Sequence, residues 1–227
     1  AGRFEDGITR KVLFPLAPEY VGYADSGLDD GLFVANKPQI EFLPNGQFKY
    51  RVDFNTLEVT DDIGVICVSR PTNPTGNVIT DEEVEHLDQL AKQHNIPLLI
   101  DNAYGVPFPG IIFSEATPFW NENVILCMSL SKLGLPGTRC GIIIANEEII
   151  EAVSNMNGII SLAPGGIGPA LALEMLKKDD LISLSKNVIG PFYKQRVEEA
   201  IEIIRRYIPE DKCLIHKPEG PIFLWLW

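Results

Sequence analysis

The stretch from Ile63 to Asp101 constrains the fold more than any other part of this chain. It reads IGVICVS, then a turn-rich loop RPTNPTGNVI, then TDEEVEHLDQLAKQHN, then IPLLID. The first and last of these are short, β-rich apolar runs of the kind that form buried strands. Between them, Thr80 with Glu83 three residues on makes a capping box, and Val84, Leu87, Leu90 and Ala91 fall on one helical face. Strand, helix and strand in this order form a βαβ unit, whose two strands are parallel and joined by a right-handed crossover.

The alternation continues on both sides. VLF (12–14), NVILCMS (123–129) and GIIIAN (141–146) read as further buried strands, and GIGPALALEMLKK and PFYKQRVEEAIEIIRRYI as helices. KPEGPIFLWLW returns to strand. The expected fold is α/β, a mostly parallel sheet with flanking helices. Residues 1–190 are expected to form a large domain, and 191–227 a connecting helix and the start of a smaller C-terminal one. The apolar ends, AGRFEDGITRKVLFP and GPIFLWLW, predict a piece of a longer protein.

Charge narrows the partners. A net charge of -12 with no basic stripe argues against nucleic acid and anionic membrane surfaces. Arg205 and Arg206 share a helix with Glu198, Glu199 and Glu202 and read as a solvated face. No apolar stretch is long enough to span a bilayer, and a cytoplasmic location is expected. Cys67, Cys127, Cys140 and Cys213 lack paired spacing and read as free thiols of a reducing compartment. His86, His94 and His216 show no metal-ligand spacing and read as surface residues, so no metal site is expected.

Ligands of open α/β sheets sit beyond the carboxyl ends of the strands. There the chain offers an amide (Asn73), a carboxylate with a phenol close behind (Asp101, Tyr104), and two serines with an amine (Ser129, Ser131, Lys132); Arg139 follows. Taken singly, each has an ordinary structural explanation as a turn former, helix cap, rim tyrosine or surface lysine. Together they suit one chemistry. A lysine amine that can lose its proton bonds to an aldehyde, and pyridoxal 5′-phosphate carries one. A carboxylate keeps the ring nitrogen of that cofactor protonated, and a phenol and an amide can donate to its ring oxygen. Hydroxyls and an arginine suit its phosphate.

NPTG, D-x-A-Y and S-x-S-K followed by P-G-x-R-x-G, in this order, resemble the class I/II aminotransferases of the fold-type I pyridoxal-phosphate enzymes. The likeness runs from PLAPEYVGYADSGL through VSRPTNPTGNVIT, DNAYGVPFPGIIFSEA and SLSKLGLPGTRCGIIIAN to GPIFLWLW. It implies that Lys132 holds the cofactor and shuttles the proton, and that Asp101 pairs with the ring nitrogen. Tyr104 and Asn73 would bond the ring oxygen, Ser129, Ser131 and Arg139 the phosphate, and Tyr20 would stack on the ring. The Asn73–Pro74 bond is expected to be cis. A homodimer is implied, as is transfer of an α-amino group between a neutral amino acid of the valine or alanine type and a 2-oxo acid such as pyruvate. The uncharged NMNGIISLAPGG, with Ile159 and Ile160, agrees with an apolar substrate, although dimer or core packing explains it equally well. The family's phosphate loop would precede residue 1 and its carboxylate-binding arginine would follow residue 227, so the chain alone is expected to be nearly inactive. A β-lyase, a decarboxylase or a cofactor-binding effector domain of a regulator could use the same motifs.

Overall fold

The computed structural model describes residues 2–3, 7–26 and 30–227; residue 1, residues 4–6 of the opening AGRFEDG and residues 27–29 lie outside the described residues. In chain order the strands are β1 (Gly2–Arg3), β2 (Thr9–Phe14), β3 (Phe33–Ala35), β4 (Gln39–Leu43) and β5 (Gln47–Arg51). They continue with β6 (Ile63–Ser69), β7 (Leu98–Asp101), β8 (Val124–Ser129), β9 (Gly141–Ile144) and β10 (Ile215–His216). The helices are α1 (Asp81–Gln93), α2 (Glu147–Ser161), α3 (Ile167–Lys177), α4 (Asp180–Leu184) and α5 (Gly190–Tyr207).

The βαβ unit forms as its pattern dictates. Thr80 Oγ1 accepts from Glu83 N, and Glu83 Oε2 accepts from Thr80 N at 2.8 Å, which completes the capping box. Val84, Leu87 and Ala91 of α1 are buried in one cluster with Val68, Ile100 and Leu126 of the sheet. That sheet runs β1-β2-β6-β7-β8-β9, with β3 also pairing β2. β3, β2, β6, β7 and β8 are mutually parallel, so β6, β7 and β8 send their carboxyl ends to one edge.

β9 departs from the parallel pattern and runs antiparallel to β8, pairing Ser129 with Gly141. The connection between them is too short for a crossover back to the far edge, which takes a dozen residues or more. This has a consequence for the site. β9 starts at the edge where β8 ends, so the whole connection carrying Lys132 and Arg139 stays there.

A second, three-stranded sheet orders β10-β5-β4. Its β4–β5 hairpin was not evident from the apolar runs; its signal is the Asn45-Gly46 dipeptide, whose residues take φ of 62° and 63°. Arg205 is not simply a solvated residue: its guanidinium donates to Gly46 O at 2.9 Å and Cys213 O at 2.8 Å, fastening α5 to this turn. The expected strand KPEGPIFLWLW is mostly irregular. Pro218 and Pro221 have no N–H for a ladder, and pairing is confined to contacts such as the bridge from Leu226 to Ile215. His216 is buried rather than on the surface, its ring against Phe48 and Tyr50, and burial pushes its pKa down to about 4. His86 and His94 are exposed, and all four cysteines are free.

Candidate active site

Local chemistry fixes the loop after β6. Arg70 is buried, with Nε donating to Ile79 O at 2.9 Å, Nη1 to Thr117 O at 3.0 Å, and Nη2 paired with Asp81. Thr72 N donates to Asn77 O and Gly76 N to Thr72 O, closing the turn. Gly76 has φ of 73°, and a Cβ there would lie 2.0 Å from Gly220 O, so both backbone conformation and space demand glycine. The Arg70–Pro71 and Asn73–Pro74 bonds are cis. The result leaves Asn73 half-buried and facing the open edge.

The neighbouring strand ends lie level with this loop. Ser69 pairs with Asp101, and Asp101 with Cys127. Tyr104, one turn beyond Asp101, is buried, and burial pushes its phenol up to about 12, with Asp101 adding to the effect. After β8, Ser131 N donates to Ser129 Oγ at 3.1 Å, and Ser131–Leu133 form a single 3-10 turn. Lys132 Nζ stands 5.2 Å from the centre of the Tyr104 ring. Arg139 takes a left-handed conformation, φ 49°, as the chain turns into β9.

A cavity of about 300 Å³ opens among these loops. Tyr20, Asn73, Asp101, Tyr104, Ser129, Ser131, Lys132 and Arg139 all line it, together with Ser69, Pro71 and Ala103. Every residue singled out from the strand-end pattern therefore reaches one space. Ile159 and Ile160 do not. They are 86% and 81% exposed at the end of α2 and contribute nothing to the wall of this cavity.

The sequence profile of "Aminotransferase class I and II" matches residues 45–226. The chain belongs to this family. Among curated relatives, the chain is 73% identical to the valine–pyruvate aminotransferase of Escherichia coli (strain K12), over all of the chain and 54% of the relative. It is 26% identical to the HTH-type transcriptional regulator NorG of Staphylococcus aureus (strain USA300), over 87% of the chain and 48% of the regulator. The crystal structure of valine-pyruvate aminotransferase AvtA from Salmonella typhimurium LT2 superposes with a TM-score of 0.91 at 71% identity, covering 96% of this chain and 55% of that one. The chain thus spans about half the length of these curated relatives.

Two residues at this edge escaped the strand-end pattern. Tyr23 donates its O–H to Asp101 Oδ2 at 2.6 Å and lies 3.1 Å from Ser69 Oγ, while Ala103 N donates to Asp101 Oδ1. Burial, reinforced by Asp101, pushes the Tyr23 phenol far up, so it stays a donor. Tyr20 packs edge-on against its ring at 5.4 Å. Beside them, Glu19 accepts from Ser69 N at 3.0 Å, and burial raises its carboxyl from the usual 4.5 to about 7. No local spacing marks either residue, because their partners lie 46 to 78 residues further along the chain.

Glu19 gives a pH prediction. The folded state holds its proton where the unfolded chain has released it, so this group weakens the fold as pH rises from 4.5 towards 7. Glu19→Gln keeps the acceptor for Ser69 N and removes the titration. The difference in urea midpoint between about pH 5 and about pH 8 should shrink in the variant. An unchanged difference would show that Glu19 is charged throughout.

Proposed function

We propose that this chain carries the lysine-bearing half of a pyridoxal 5′-phosphate site, in an enzyme that moves an α-amino group between valine or alanine and a 2-oxo acid such as pyruvate. The observation that carries the proposal is the convergence of an amine, a carboxylate, a phenol, an amide, two hydroxyls and a guanidinium on one cavity. The donor set fits the cofactor group by group. The 73% identity to a valine–pyruvate aminotransferase supports the reaction and the substrates.

When bound, pyridoxal phosphate supplies an aldehyde carbon for an amine and a ring that accepts the electrons released at the substrate Cα. The chain's own residues do the rest. Lys132 would hold that carbon through Nζ and would carry the proton from the substrate Cα. Asp101, oriented by Tyr23 and Ala103, would face the ring nitrogen and hold a proton there. Tyr104 Oη and Asn73 Nδ2 would donate to the ring oxygen. Ser129, Ser131 and Arg139 would bind the phosphate, and Tyr20, 43% exposed and lining the cavity, would cover the ring.

The same reading takes residues 1–190 as cofactor domain and 191–227 as the start of a smaller domain. β10 pairs with β5, so the second sheet takes strands from both of these segments. A cytoplasmic homodimer is part of the proposal. Ile159, Ile160 and Leu162, 81–90% exposed, suit a surface covered by a second subunit. No helix among the described residues is long and apolar enough to cross a membrane.

The test is product analysis on the full-length protein. Valine and pyruvate should yield alanine and 2-oxoisovalerate without free ammonia. Ammonia and pyruvate released from a β-substituted alanine, with no transfer between valine and pyruvate, would instead establish a lyase.

A further inference from the structure

A buried polar cluster lies outside the cavity. Lys49 of β5 and Glu219 are both buried and form an ion pair. Lys49 Nζ also donates to Val78 O at 2.8 Å, and Glu219 Oε2 accepts from Val78 N at 3.2 Å. The pair thus grips both backbone polar groups of Val78, at the far end of the loop that carries Asn73. His216 Nε2 lies 3.2 Å from the amide oxygen of buried Asn77, and Lys217 Nζ lies 3.1 Å from Glu219 Oε1.

Backbone contacts tighten the same junction. Gly220 O sits against Gly76 so closely that no Cβ fits, and Phe113 N donates to Glu219 O at 2.8 Å. Loop 70–79 is therefore pressed between β5 and the segment 215–221. An apolar pair of similar size could fill this space, often without loss of stability. It could not hold Val78 N and Val78 O. The ionic form retains an ability that packing alone does not provide, which is to fix the register of the loop. Burial opposes the charge on Glu219, but Lys49 and Lys217 hold its carboxyl below the usual range.

We propose that Lys49 and Glu219 are positioning residues, whose buried pair clamps loop 70–79 and fixes where Asn73 presents its amide to the bound cofactor. The inference rests on the reading of the cavity as a pyridoxal phosphate site. It assigns to two residues remote from the cavity a role exerted through Asn73.

The experiment is a variant cycle in the full-length protein, reading pyridoxal phosphate affinity by absorbance titration and stability by urea midpoint. Asn73→Ala alone should weaken cofactor binding about tenfold, the loss of one good hydrogen bond. Lys49→Met and Glu219→Gln each orphan a buried charge or weaken its pairing, and should lower both stability and affinity. The double variant K49M/E219L should regain part of the stability, since no buried charge is left alone although Val78 N and O lose their partners, yet still bind the cofactor about tenfold more weakly. Adding Asn73→Ala to it should then cost less than about twofold more, since the amide is already misplaced. Recovery of affinity together with stability would overturn the proposal, as would a full further loss from Asn73→Ala. If K49M/E219L does not fold, the cycle of Glu219→Gln with Asn73→Ala decides by the same criterion of additivity. Normal affinity in Asn73→Ala alone would remove the role given to Asn73, and this inference with it. Loss of all binding in Lys132→Ala alongside that result would leave the cavity assignment standing.

Discussion

Lys132→Ala is expected to leave the full-length protein folded and unable to form a borohydride-stable bond with pyridoxal phosphate. Lys132 is half-buried in a single 3-10 turn, and its amine stands over the Tyr104 ring. The substitution therefore removes a cation–π contact and some packing, worth about 1 kcal/mol, and orphans no buried partner. Chemistry should suffer far more. Both roles assigned to this amine, bonding to the aldehyde and carrying the proton, disappear together, so transfer should fall by at least about 10⁴-fold. Urea midpoint, cofactor fixation and turnover measured on one preparation separate the effects. Residual turnover within about tenfold of the native rate would mean that another lysine serves the site.

Asp101→Asn is expected to have the second largest effect. The asparagine has the size of the aspartate and still offers one oxygen to Tyr23 or Ala103, but it brings no charge. Tyr23 and Ala103 each donate to one carboxylate oxygen and fix its orientation. With the charge gone, nothing else assigned to the ring nitrogen keeps a proton there. Turnover should fall by about 10²–10³-fold, the usual range for removing one preorganised electrostatic contact. The bound cofactor's absorption should also change its dependence on pH. A variant with unchanged spectra and near-native turnover would show that Asp101 serves only as a strand-end cap.

Much of this site was legible in the sequence because the physics that builds it is local. Parallel strands deliver their carboxyl ends to one edge, so Asn73, Asp101 and Lys132 could be placed together from strand order alone. The capping box at Thr80 and Glu83 set the helix start, and that start fixes the length of the loop bearing Asn73. Features resting on distant partners were not legible. Lys49 and Glu219 lie 170 residues apart, and Tyr23 meets Asp101 across 78. No periodicity connects such pairs. His216 was misread for the same reason: its burial comes from β5 and from Asn77, neither of which its own segment reveals. KPEGPIFLWLW was misread because its apolar character indicated a strand, whereas its prolines and Gly220 shape it to press on the Asn73 loop.

The central claim is that the cavity at the carboxyl edge of β6, β7 and β8 binds pyridoxal phosphate through Lys132. Borohydride reduction of the loaded full-length protein, followed by peptide mapping, tests it most directly. The account predicts one modified residue, in the peptide containing Ser129, Ser131 and Lys132, with the adduct on Lys132. An adduct on any other lysine, or none at all, would contradict it.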